Sequence, residues 1–129
     1  MTLWLKWALV AGGGALGAVF RTGISEWMAQ RFGDGFAWGT LTVNLLGCLA
    51  IGAARAGVEI VDWASPEARI LLFSGFLGAF TTFSTFEADT VSLWRSGEHV
   101  TAGLYLGVSV VGGLIAFFIG WLAVARTVG

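Results

Sequence analysis

Four long stretches without a formal charge divide the chain, at 7–20, 35–54, 70–86 and 100–125. A helix that crosses the hydrocarbon core of a bilayer takes about 20 predominantly apolar residues, and flanking Lys or Arg side chains can reach up to the headgroups. The pattern therefore predicts four spanning helices joined by short links, a single transmembrane domain over 1–129 with no soluble domain, linker or low-complexity segment. The first stretch, preceded by Lys6 and carrying small residues over 15–18, has the outline of a secretory leader. Arg21 follows it directly and three further spans come after, so a membrane helix is the expectation.

The third stretch changes character at its end, where TTFSTF puts Thr81, Thr82, Ser84 and Thr85 among Phe83 and Phe86. At ~100° per residue the four hydroxyls of an unbroken helix point almost all round, so no single face hides them. Two arrangements accommodate them. A local break after Gly75 and Gly78 lets hydroxyls and backbone reorganise, with the freed carbonyls buried in protein or facing a wet cavity. Alternatively the helix is continuous, and Ser and Thr bond back to their own backbone and to a neighbour. The phenylalanines at 73, 76, 80 and 83, spaced by three and four, read first as a packing stripe. Phe86 carries it into the hydroxyl run, where the positive edges of rings can face an anion.

Asn44 lies near the middle of the second stretch, and a buried amide in lipid must find a partner, either a neighbouring helix or something passing by. Tyr105 and Ser109, four apart on the fourth helix, share a face. Arg21 falls where the first helix nears an interface, as a lipid anchor or as a charge that concentrates anions at a mouth. Cys48 is the single cysteine and reads as a small packing residue. Small residues at close-packing spacing, Gly13 with Gly17, Gly75 with Ala79, and Gly103 with Gly107, support helix association.

Composition removes several classes. The chain is 57% hydrophobic with a mean hydropathy of +0.82, which is a membrane composition. Seven basic residues are scattered among eight acidic ones, so no basic stripe exists to track nucleic acid. Lys6, Arg55, Arg69 and Arg126 fall on one side of four spans and Arg21, Arg31 and Arg95 on the other. Orientation follows an excess of Lys and Arg in cytoplasmic loops, and so even a split suits either a chain that inserts both ways or one whose orientation a single charge near the first helix decides. No carboxylate falls in any of the four stretches, which disfavours a proton-coupled carrier, and no catalytic constellation can be assembled around the single His99. Neutral donors and ring edges in apolar surroundings point to a small, hard anion.

At these residues the chain resembles the Fluc, or CrcB, family of microbial fluoride channels. The likeness rests on GGALGAVFR at 13–21, GTLTVNLLG at 39–47 and GFLGAFTTFSTFE at 75–87, three motifs in order. The resemblance implies an all-α integral protein of the cell membrane, multi-pass, with the third helix broken, working as a dual-topology antiparallel homodimer. It implies two passive fluoride pathways at the dimer interface that lower cytoplasmic fluoride, and one structural sodium ion that is not transported. In family terms Phe83, Phe86, Asn44, Ser84, Thr85, Tyr105 and Ser109 line the pathway, main-chain oxygens of Gly78 and Thr81 hold the sodium, and Arg21 attracts anions at the mouth. Some relatives carry another serine four residues after Ser109, where this chain has Gly113. The competing expectations are a small proton-driven multidrug exporter and an assembly protein whose hydroxyls only glue helices.

Overall fold

A computed structural model describes residues 1–129, all of them helix apart from short connections. Helix α1 spans Leu3–Phe32 and α2 spans Trp38–Val61. The third membrane span begins with α3 at 66–80, in which the turn Pro66–Arg69, the π-helical segment Ile70–Leu77 and the turn Gly78–Phe80 follow one another, and it ends with α4 at Phe83–Arg95. The fourth, α5, runs His99–Val128, with a π-helical segment Val108–Gly112 between two α-helical parts. Four helices are long and apolar enough to cross a membrane. The protein is a multi-pass membrane protein.

The helices outrun the charge-free stretches that predict them. α1 has 30 residues, about 45 Å at 1.5 Å per residue against a hydrocarbon core of about 30 Å. It continues past Phe20 through Arg21, Glu26 and Arg31. Charge marks where a helix leaves the oil; hydrogen bonding and capping decide where it stops. Gly33, at φ 80°, closes α1 with its N–H on the Ala29 carbonyl. Ser65 caps the third span, accepting from the Ala68 N–H at 3.2 Å with Pro66 at the first helical position, where its missing donor costs nothing. Asp62 ends α2 in the left-handed region and is paired to Arg69 across the same short connection.

Packing follows the glycines. Gly13 and Gly17 on α1 are buried, and a Cβ on Gly17 would run into the Phe76 carbonyl, while one on Gly75 would lie 3.0 Å from the Gly13 Cα. α1 and α3 thus meet backbone to backbone, the geometry small residues permit in membranes. α2 and the C-terminal half of α5 meet the same way, through Gly52 against the Phe117 carbonyl and Gly120 against that of Leu49. α4 packs on the N-terminal half of α5, where Phe86, Leu93, Ala102 and Tyr105 form a buried cluster with Leu41. The other predicted pair, Gly103 and Gly107, meets nothing within this chain.

The phenylalanine stripe divides. Phe76 and Phe80 stack at 5.7 Å and Phe20 meets Phe76 edge-on at 5.8 Å. Phe83 leaves the stripe and is 74% exposed. Substituting Gly17→Ala is expected to lower stability by about 1–3 kcal/mol, the usual cost of overpacking. Gly12→Ala, facing open space on the same helix, is expected to be neutral or slightly stabilising; thermal unfolding of the two purified variants in detergent checks the contrast.

Candidate functional site

Thr81 (φ −90°, ψ 155°) and Thr82 (φ −147°, ψ 122°) have extended backbone between α3 and α4. The Thr81 N–H still reaches the Leu77 carbonyl at 3.2 Å, but the ladder ends there and leaves the main-chain groups of Thr82 without helical partners, and groups stranded in a membrane cost several kcal/mol each. Asn44 resolves this from α2. Its Nδ2 donates to the Thr82 carbonyl at 2.9 Å, and its Oδ1 accepts from the Thr82 N–H at 2.8 Å. The side-chain amide therefore stands in for the helical partners that Thr82 lacks. A second N–H on Nδ2 is left over, and Asn44 also lines the adjoining cavity.

The hydroxyls have separate duties. Thr81 Oγ1 donates back to the Leu77 carbonyl at 3.0 Å. Thr82 caps α4: its Oγ1 accepts from the Thr85 N–H at 3.3 Å and donates to Thr85 Oγ1 at 3.1 Å. The methyl of Thr81 lies on Gly47, the one residue type that leaves it room. Ser84 and Thr85 are exposed and line neither the cavity beside Asn44 nor the one beside Asp89.

Beside the extended pair lies a chamber of about 340 Å³, lined by Asn44, Cys48, Thr81, Phe83, Phe86 and Ser109 with Gly47, Thr82, Leu77, Ile51 and Val110. No charged side chain belongs to this wall. Phe83 and Phe86 stand 5.9 Å apart at 56°. Ser109 Oγ is buried and has no hydrogen-bond partner, an arrangement that calls for a ligand or water. It sits in the π-helical segment of α5, a feature frequent at functional sites.

Tyr105 is only 1% exposed and touches one wall residue of this chamber and one of a larger cavity. Its ring lies 5.3 Å from that of Phe86, and its hydroxyl donates to Asp89 Oδ2 at 3.1 Å. Asp89 lines the second cavity, about 510 Å³, together with Asp34, Glu98, Ser25, Ser92 and Ser96. Three carboxylates make that space a poor resting place for an anion, so the neutral chamber is the candidate site.

Of the residues singled out from the sequence, Asn44, Thr81, Phe83, Phe86 and Ser109 meet at one chamber, and Tyr105 backs it through Phe86. Arg21 is part-exposed, forms no ion pair in this chain and lines neither cavity. Three participants were not anticipated: Thr82 as the partner of Asn44, Asp89 as the partner of Tyr105, and Cys48 in the chamber wall. Spacing held the signal for two of them, since Cys48 is four residues after Asn44 and Asp89 three after Phe86, each on the face of its predecessor.

Residues 8–121 match the family described as CrcB-like protein, Camphor Resistance (CrcB). The chain belongs to the CrcB family. A relative from Rhizobium etli, named fluoride-specific ion channel FluC, is 47% identical over 92% of this chain and 94% of its own. Relatives of that name from Chloroflexus aurantiacus, 48% identical over 86% of this chain and 88% of their own, and from Acidobacterium capsulatum, 40% identical over 96% and 99%, extend the likeness across distant bacteria. Those names denote transport and not an enzymatic reaction.

Asn44→Ala is expected to leave the Thr82 N–H and carbonyl both unpaired, at about 1–3 kcal/mol for each group. The checks are a lower unfolding temperature and faster hydrogen exchange at the Thr82 amide. Asn44→Asp keeps the acceptor for the Thr82 N–H but faces the Thr82 carbonyl with a carboxylate oxygen, and is expected to lower the unfolding temperature while the Thr82 amide stays protected.

Proposed function

We propose that the protein is a fluoride channel that lets the ion leave the cell passively, down its electrochemical gradient. The observation that carries this reading is the uncharged chamber among the membrane-spanning helices, where a buried serine hydroxyl has no partner and an asparagine keeps one free N–H. Fluoride is small and strongly hydrated, so a site that takes it from water must supply compensating hydrogen bonds. Ser109 Oγ and Asn44 Nδ2 provide donors, and the edges of Phe83 and Phe86 add a weak positive field. No Lys or Arg side chain lines the wall to trap the ion, which favours release as well as entry.

The working unit in this proposal is an antiparallel homodimer with a pathway in each half. Two features favour it. Positive charge divides almost evenly between the two sides, and Phe83, a wall residue, is largely exposed in one chain. A second copy would cover that ring, bring Ser84 and Thr85 onto a shared path, and meet the bare Gly103 and Gly107 edge of α5.

A central sodium ion is part of the proposal, and the backbone suits one. The Thr82 N–H, the regular helical partner of the Gly78 carbonyl, is turned to Asn44, and the Thr81 carbonyl accepts no hydrogen bond in this chain. Gly78 and Thr81 would hold the ion with these oxygens, the donor type a hard cation prefers. When bound, sodium supplies a fixed positive charge and a link between the two interrupted spans. This chain's residues do the conducting.

In liposomes holding the purified protein, fluoride efflux is expected to exceed chloride efflux by orders of magnitude; equal rates, or neither ion moving, would overturn the proposal. Phe83→Ile is expected to slow fluoride sharply while the dimer persists. Replacing sodium by choline during purification is expected to loosen the dimer, read by light scattering, with no such effect in protein kept in sodium.

A further inference from the structure

Cys48 is the one nucleophilic side chain in the chamber, and its placement depends on a glycine across the gap. It lies on α2, one turn beyond Asn44, and lines the same wall as Phe83 and Ser109. Opposite it on α5 is Gly113, where an added Cβ would come within 3.2 Å of Cys48 Sγ. That is tighter than ordinary contact. The sulfur therefore fills the space that a side chain at 113 would take, one turn below Ser109. The partnerless, buried Ser109 Oγ marks this part of the chamber as a place where something polar is expected to sit.

We propose that the Cys48 thiol is part of the surface past which the ion moves, a weak S–H donor standing where position 113 offers none, and that it is a modification site able to close the passage. The inference rests on the channel reading above. A bulky group on Sγ would project into a chamber of about 340 Å³, next to the only hydroxyl there without a partner. An alkylthiosulfonate is the appropriate class of reagent. The Cys48 sulfur forms an S–S bond to the reagent's divalent alkylthio sulfur, the S–SO₂ bond breaks, and the sulfinate departs with its electron pair. The thiol proton goes to water.

The test uses full-length protein in liposomes, treated with ethyl methanethiosulfonate, with fluoride efflux and intact mass read on the same sample. The expected result is the gain of one ethylthio group per chain, loss of most of the efflux, and recovery of both mass and efflux on adding a thiol reductant. Cys48→Ser is expected to show no adduct and no loss relative to its own untreated rate. Complete modification with unchanged efflux would overturn the proposal. So would a folded protein that resists the reagent while the denatured chain reacts fully. Untreated protein that passes no fluoride fails the channel reading instead, and the mass measurement still reports whether the thiol faces the chamber.

Discussion

The pairing of the Asn44 side chain with both main-chain groups of Thr82 is the constraint on which the membrane interior of this protein depends. Two residues of extended backbone inside a bilayer are unaffordable alone, because lipid supplies no donors or acceptors. An amide presents one of each in a plane, as a peptide group does, so a single residue on α2 replaces the missing turn of the ladder. Everything nearby is arranged around that substitution. Thr82 is free to cap α4, Phe83 departs from the stripe shared by Phe76 and Phe80, and the main-chain oxygens at 78 and 81 lose their usual donors.

The chamber beside this junction is electrically plain. Its wall mixes hydroxyl, amide, thiol and aromatic groups in aliphatic surroundings, whereas the carboxylates of the neighbourhood are gathered in the larger cavity beyond Tyr105. A full charge in low dielectric attracts its opposite strongly enough to hold it. Dipoles attract less and let go sooner. Tyr105, with one neighbour in the wall of each cavity, ties Asp89 to a hydroxyl proton.

Much of this was legible in the sequence, for reasons that can be named. Four charge-free stretches imply four spans because the cost of charge in oil is large and uniform, and the helices appear where the stretches fall. Their ends were not legible: α1 runs to Phe32 because caps, and not polarity, terminate it. That Asn44 needs a partner follows from its burial, but its choice of Thr82, 38 residues away, depends on a packing of α2 against the third span that no local pattern encodes. The hydroxyl run illustrates the same limit. Thr81 bonds back to its own helix and Thr82 turns outward as a cap, and neighbouring threonines of identical chemistry differ only in the dihedrals that tertiary structure imposes. Cys48 read as filler although its spacing put it on the face of Asn44, because the cavity on that face is closed partly by Ser109 and Val110 of α5.

The π-helical segment Val108–Gly112 has a consequence for the shape of the path. In an α-helix, residues four apart form a row that leans across the surface, so a line of functional groups winds away from any fixed direction. A wider turn takes more residues to complete a circle, and four of them fall short of it. Placed after the α-helical stretch that carries Tyr105, the segment reverses the lean at Ser109 and brings Gly113 back beneath it. Tyr105 on Phe86, Ser109 in the chamber and Gly113 against Cys48 accordingly all face one way. The result is a plumb column of positions along a rod that would otherwise carry a spiral.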